Sequence, residues 1–322
     1  ARSAFGDYQA RKAANTTRRQ KADLALFAQF LSTVGLNAGD FEHDPDAWRP
    51  IVWGMVEAFQ RWQLSEGYAI GSVNVRLATV KRYAKLAAKA RTLSMDELSH
   101  IRDIEGYRRK EALHIDENRH DENITTRREK AKKAVSVSIT ATQAQTLINR
   151  PDTAQGRRDA LMMAIMLDHG LRVGEVAILA VTDFDLSQGT LKFYRPKVDK
   201  VQTHKLTART LAAARAYFKH DAPAMGNVWL ASANRKLGKD AMGTLTTQGL
   251  TERAITKRVA ALAARIGIPG LSAHDLRHYW ATQAAKNTPI DRLMEAGGWN
   301  SYAMPLRYIQ AGKIANEGVK LE

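Results

Sequence analysis

The sequence predicts a mainly α fold in two domains. A helical domain occupies residues 1–112, and a mixed α/β domain, mostly helical with one small antiparallel sheet, occupies residues 136–322. Three observations predict this. Apolar residues recur at helical spacing through most of the chain, only one short region reads as strands, and a polar stretch without apolar period divides the two halves. With 322 residues, 44% of them hydrophobic, the chain can bury two cores.

The first helix reads over residues 16–31, "TTRRQKADLALFAQFL", with Leu24, Phe27 and Leu31 as its stripe and Thr16 or Thr17 as N-cap. "DAWRPIVWGMVEAFQRWQLSEG" gives a second helix, stopped at Gly67. Ser72 to Arg91 gives a third, whose buried face is Val73, Leu77, Val80, Ala84 and Ala87. From Arg76 to Arg91 there are six basic residues and no acidic one. A fourth helix fits Met95 to about Ala112. Residues 113–135, "LHIDENRHDENITTRREKAKKAV", start acidic and turn basic, and are expected to be a linker.

In the second domain "SITATQAQTLIN", "RRDALMMAIMLDHG" and "VGEVAILAV" read as successive helices. "TLKFYRP" and "VQTHKLT" flank "KVDK" as a hairpin. Leu206 to His220 is helical, "ANRKLGKDAMGTLTTQG" is expected to be a loop, and "ERAITKRVAALAARIG" returns to helix with Ile255, Val259, Leu262 and Ile266 inward and Lys257, Arg258 and Arg265 outward.

Composition narrows the function. The net charge is +16, which argues for a polyanionic partner, nucleic acid before any other. The absence of cysteine excludes disulfides, Cys-ligated zinc and thiol nucleophiles. No apolar run approaches the ~18 residues of a membrane span, and the first twenty residues carry no signal core. A cytoplasmic protein that associates with the nucleoid when DNA-bound is the expectation. The candidate DNA contacts are Thr17, Arg18 and Arg19 on the first helix, Asn74, Arg76, Lys81, Arg82 and Lys85 on the third, and Lys257 and Arg258 in the second domain.

One segment concentrates reactive side chains: "SAHDLRHYWATQAAKNTPIDRLMEAGGWNSYAMPLRYIQ", Ser272 to Gln310. Ser272 and Asp275 form a capping box, so His274 and Arg277 share a face at a helix start that favours an anion. A helix opens at Thr288-Pro289 and closes at Gly297-Gly298, Trp299 follows, and Ser301 caps a last helix carrying Tyr308. Upstream, in "HGLRVGEVAIL", Arg172 sits at a helix junction. Glu175 either orients that arginine or serves as a first-turn helix acid.

Arg172, a hairpin lysine, "HDLR" (His274 to Arg277), Trp299 and Tyr308 in that order resemble the tyrosine site-specific recombinases, or phage integrases. The tail "LMEAGGWNSYAMPLRYI" is similar to Cre-like recombinases, with Trp299 where most integrases carry a second His. The resemblance covers residues 130–316 well and the helical domain in layout only. It implies a SAM-like core-binding domain followed by the recombinase catalytic domain. It implies Tyr308 as the nucleophile on a scissile DNA phosphate, leaving a 3′-phosphotyrosyl link. Arg172 and Arg277 would clamp the phosphate oxygens. Lys197 would protonate the leaving 5′ oxygen, with Lys200 as its rival. His274 would assist proton transfer or bond the phosphate, and Trp299 would donate its indole N–H. No metal, ATP or other cofactor is implied, since side chains supply the positive charge. The implied partners are a double-stranded DNA site with short inverted repeats and three further protomers in a homotetramer, the tail after Tyr308 packing on a neighbour. Two positions depart from the pattern: Pro305 replaces the usual Thr, and Gln310 the usual His. A type IB topoisomerase, which relaxes supercoils as a monomer, is the competing reading, and a non-catalytic architectural DNA binder a third.

Overall fold

The computed structural model describes residues 2–36, 39–126, 136–233 and 244–311. It divides into two compact units, Ala1–Ala134 and Val135–Glu322.

Among its described residues the first unit has helices and no strands: α1 (Arg2–Ala10), α2 (Ala14–Thr33), a 3-10 turn (Pro45–Trp48), α3 (Trp53–Ser65), α4 (Ile70–Lys89), α5 (Met95–Asp103) and α6 (Arg109–Asp121). The stripe read for α4 is the buried one, with Val73, Val80, Ala84 and Ala87 fully enclosed. It packs with Phe27, Trp48 and Phe59 into one aromatic-rich core. The N-cap of α2 is Ala13, upstream of the expected threonines, and the hydroxyl of Thr17 donates to Ala14 O (3.0 Å).

The expected fourth helix is two helices, broken between Asp103 and Arg109. The segment read as a linker from residue 113 is helical up to Asp121. Polar contacts hold α6 in place of an apolar stripe. Glu111 accepts from the Arg108 backbone N–H (2.6 Å), and the buried Arg119 donates to the carbonyls of Leu64 (2.8 Å) and Tyr68 (3.0 Å) on the preceding elements. Residues 127–135 of that segment lie outside the described residues.

The second unit contains α7 (Ala141–Ile148), α8 (Ala154–Asp168), α9 (Val173–Ala177), β1 (Phe184–Asp185), β2 (Thr190–Arg195), β3 (Lys200–Lys205), α10 (Ala208–His220), β4 (Leu230–Ser232), β5 (Leu245–Gly249), α11 (Glu252–Arg265), α12 (Ala273–Ala284), α13 (Ile290–Gly297) and α14 (Ala303–Ala311). Helix α8 is the core: Leu161 to Leu167 are all buried, with α7, α10 and α12 packed around it. The helix read over "VGEVAILAV" lasts only to Ala177 and then gives way to the first sheet.

That sheet is antiparallel with order β1-β2-β3, and Arg195 pairs with Lys200 across the hairpin end. A second, two-stranded sheet joins β4 and β5, where the sequence suggested a loop. Thr246 and Thr247 favour a strand, but Leu245 to Gly249 shows no apolar alternation, and pairing with Leu230–Ser232 makes it one. Residues 234–243 of the expected loop lie outside the described residues.

Two histidines, the buried His169 and the half-buried His204, meet at the hairpin. His169 ends α8 and His204 sits on β3, their ring centroids 5.7 Å apart. Neither buried Nε2 has a hydrogen-bond partner. Burial pushes His169 down to about 4 and His204 down to about 3. The unfolded chain therefore binds more protons than the folded one between those values and ~6.5. Stability from this pair is full above pH ~6.5 and is lost progressively as pH falls below it. Urea melts at pH 7 and pH 5 check this: the midpoint drops at pH 5 in the native protein, and the drop shrinks in His204→Phe. Equal midpoints at the two pH values would refute it.

Candidate active site

The cluster is built where three chain segments meet: the α8–α9 junction, the first hairpin, and the stretch from α12 to α14. Gly170 ends the first of these with φ +60, and a Cβ there would lie 2.2 Å from the Trp280 ring. Glycine thus lets the junction pass directly over α12. Arg172 follows as the N-cap residue of α9. Glu175, three residues on, accepts from the Arg172 backbone N–H through Oε2 (2.8 Å) and from its Nη1 through Oε1 (2.8 Å). It is at once the first-turn acid and the group that orients the arginine. Arg172 Nη2 also reaches Gly298 O (3.4 Å).

Arg195, which the sequence reading did not single out, carries the arrangement underneath. It is the last residue of β2 and fully buried. Its Nη1 donates to Glu175 Oε2 (2.6 Å), its Nη2 to Ala296 O (2.8 Å), and its Nε to Gln202. Gln202 Nε2 in turn donates to Glu295 O (2.6 Å). The signal was present: Leu191, Phe193 and Arg195 share one face of an alternating strand, so the arginine had to point inward.

At the other end of these bonds, α13 stops at Gly298, whose φ of +58 makes it a left-handed C-cap. A Cβ there would lie 2.5 Å from Arg195 Cδ. The carbonyls of the helix end face inward and accept arginine N–H groups. Arg277, on α12 and only 3% exposed, donates to Gly170 O and Gly297 O. Burial first, then Arg172 and Arg195, pushes its guanidinium down to about 9. It stays a cation at neutral pH.

Trp299 lies 5.1 Å from the Arg277 guanidinium and 5.6 Å from the Tyr308 ring, with which it stacks at 28°. Tyr308 is buried on α14 among Trp280, Ala281 and Leu293. Burial raises its pKa, and Arg277, Arg307 and Arg172 pull it back. Pro305 falls in the first turn of α14, where its missing N–H costs no helical hydrogen bond. The Gln310 side chain and residues 312–322, the expected tail, lie outside the described residues.

His274 is exposed one turn before His278, and their Nε2 atoms are 2.9 Å apart. The His278 ring meets Tyr308 at 5.3 Å. Asp275 accepts from Ser272 N (2.8 Å) and Ser272 Oγ (2.7 Å), and its second oxygen accepts from Val137 N (3.1 Å), fixing the start of α12. Five of the six candidate catalytic residues, Arg172, His274, Arg277, Trp299 and Tyr308, are thus linked into one cluster. Lys197 is exposed on the hairpin turn two residues beyond Arg195, and Lys200 is exposed at the start of β3.

The candidate DNA contacts divide sharply. Arg18, Arg82, Lys85 and Lys257 are exposed, and Arg19, also exposed, donates to Asp23 (2.8 Å). Asn74 spends its amide on Tyr107, donating to its carbonyl (2.8 Å) and accepting from its N–H (2.9 Å). Arg76 donates to Gln63 (3.2 Å) and lies over the Tyr68 ring (4.2 Å). Lys81 donates to Ile104 O (2.6 Å), and burial pushes its pKa down. Arg258, read as outward-facing, instead donates to buried Asp159 (2.7 Å from its Nε), which also accepts from buried Arg158 (2.7 Å). Buried carboxylates demand such partners, and that demand outweighs exposure. Among the described residues no helix is long and apolar enough to cross a membrane, and no group of three His, Cys, Asp or Glu is placed to hold a metal ion.

Comparison with known proteins matches residues 138–313 to the phage integrase family. A tyrosine recombinase XerD of Proteus mirabilis is 25% identical over 273 residues, covering 84% of this chain and 74% of the relative. Among solved structures, a Tn1549 transposon integrase in complex with transposon right end DNA superposes with a TM-score of 0.63 at 12% identity, covering 95% of this chain and 93% of the other. A lambda integrase tetramer bound to a Holliday junction gives 0.57 at 13% identity, covering 99% and 78%.

Proposed function

The chain belongs to the phage integrase family, and from that premise we propose that it recombines short inverted-repeat DNA sites through a 3′-phosphotyrosyl intermediate and a Holliday junction. It is a tyrosine recombinase, and site-specific recombination is its reaction class. What supports the finer reading is the single cluster in which Tyr308 stacks on Trp299 beside the buried Arg277.

In this reading a scissile phosphate enters beside Arg172 and Arg277. Two guanidinium forks suit the equatorial oxygens of a pentacoordinate phosphorus, and their charge counts most in a site shielded from water. Tyr308 Oη attacks phosphorus as the P–O5′ bond breaks, and Lys197 gives its proton to the departing 5′ oxygen. Trp299 donates its indole N–H to a phosphate oxygen and cannot itself transfer a proton. The phosphotyrosyl bond conserves the energy of the phosphodiester, so a 5′ hydroxyl from a second duplex can attack it and exchange strands without ATP. Four protomers, the number in the lambda integrase structure on a Holliday junction, would hold the two duplexes. The exposed Arg18, Arg82 and Lys85 would contact phosphates, as would Lys257.

Incubation of two-site DNA tests the reading: recombinant products are expected, and relaxed circles from any plasmid without recombinants would instead mark a topoisomerase. The role of Lys197 has its own test. Lys197→Ala should cleave normal DNA at least about a hundredfold more slowly. A 5′-bridging phosphorothioate should restore it, because that leaving group needs no proton. Rescue of Lys200→Ala instead would reassign the acid.

A further inference from the structure

We propose that His278 is a positioning residue for the attack by Tyr308, holding His274 in a two-histidine pair that shares the tyrosine's proton. The inference rests on the assignment of Tyr308 as nucleophile. His274 and His278 lie one turn apart on α12, and their rings stand nearly perpendicular, at 86°, with centroids 4.5 Å apart. Their Nε2 atoms face each other at 2.9 Å. At that separation one ring must present N–H and the other its lone pair. The pair accommodates one added proton, as an imidazolium donating to a neutral imidazole. Two added protons would set two donors against each other and break the bond.

The same half-buried His278 ring packs edge-on to Tyr308 at 5.3 Å. His278 therefore touches both the nucleophile and the histidine whose base role the family resemblance implies. Such a partner is needed because Tyr308 is buried and its phenol pushed up, an effect that Arg277, Arg307 and Arg172 offset in part. As the Oη–P bond forms and the P–O5′ bond breaks, the phenol proton passes to the pair and Lys197 protonates the 5′ oxygen. In rejoining, the 5′ hydroxyl attacks phosphorus, its proton returns to the lysine, and the pair returns its proton to Oη. The groups facing His278 set its titration. Burial lowers it first, then His274; Asp275 raises it, and Arg307 and Arg277 lower it further.

Three measurements test this. On a nicked suicide substrate, His278→Phe keeps the edge contact with Tyr308 but offers His274 no nitrogen. Its covalent adduct should form at least tenfold more slowly, with DNA affinity unchanged. His278→Gln, whose amide can donate to His274, should recover to within threefold of the native rate. A native rate for the Phe variant, or a Gln variant as slow as Phe, would overturn the proposal and leave His278 a packing residue. Should the Phe variant fail to fold, ¹⁵N-histidine NMR of the unaltered chain decides. Two protonation steps separated by more than one pH unit are expected, and two independent steps would overturn it. Tyr308→Phe run alongside separates the two claims: an adduct from that variant refutes the nucleophile itself, whatever His278 does.

Discussion

Replacing Tyr308 by Phe is expected to abolish covalent capture of DNA while leaving fold and binding intact. The ring is the packing element: it stacks on Trp299 and meets His278, and phenylalanine keeps both contacts. Loss of one hydroxyl should change stability by no more than about 1 kcal/mol. Affinity for DNA comes from neutralised phosphates, and every cation of the molecule remains, so it should stay within about threefold. Chemistry, by contrast, loses its nucleophile, and removal of such a group costs roughly 10⁴-fold or more. A nicked suicide substrate, run on a denaturing gel, gives a shifted protein–DNA band with the native chain and none with the variant. A shifted band with Tyr308→Phe would remove the basis of the assignment.

Sequence made much of this site readable because its parts obey local rules. A helix junction placed Arg172, and the i, i+3 spacing placed Glu175 beside it. A capping box placed His274 and Arg277, and a left-handed glycine placed Trp299 ahead of Tyr308. What escaped depended on partners distant in the chain. Asn74, Arg76 and Lys81 looked like a cationic DNA face, yet residues thirteen to thirty-three positions away in sequence claim their polar atoms. Arg258 was likewise claimed by Asp159, ninety-nine residues away. The short strand at Leu245–Gly249 follows the same logic, since it lacks apolar alternation and pairs with a strand thirteen or more residues away. His278 was visible one turn after His274, and only the structure relates it to Tyr308.

Arg195 is the position where a substitution away from the reacting atoms should do the most damage. It is fully buried, and its guanidinium joins Glu175, Gln202 and Ala296 O. Through Glu175 it braces Arg172, through Ala296 it fixes the helix end before Trp299, and it ends the strand that leads into the turn carrying Lys197. Arg195→Met keeps much of the volume and removes the charge, leaving a carboxylate that is 2% exposed with Arg172 as its remaining ion-pair partner. Removing one partner of a buried pair costs about 3–5 kcal/mol. Because Arg172 still neutralises Glu175, the lower figure applies. For a unit of this size about 3 kcal/mol corresponds to a fall in Tm of roughly 6–12 °C. Adduct formation should fall at least tenfold even at temperatures where the variant stays folded, since Arg172 and the Trp299 turn lose their common support. Arg195→Lys should fare little better, because one ammonium cannot bond three acceptors held in a fork. Adding Glu175→Gln removes the stranded charge, so Arg195→Met with Glu175→Gln should melt higher than the sum of the two single losses predicts. Strict additivity in that cycle, measured by thermal melts, would show that the two side chains are not coupled and that the bracing role belongs elsewhere.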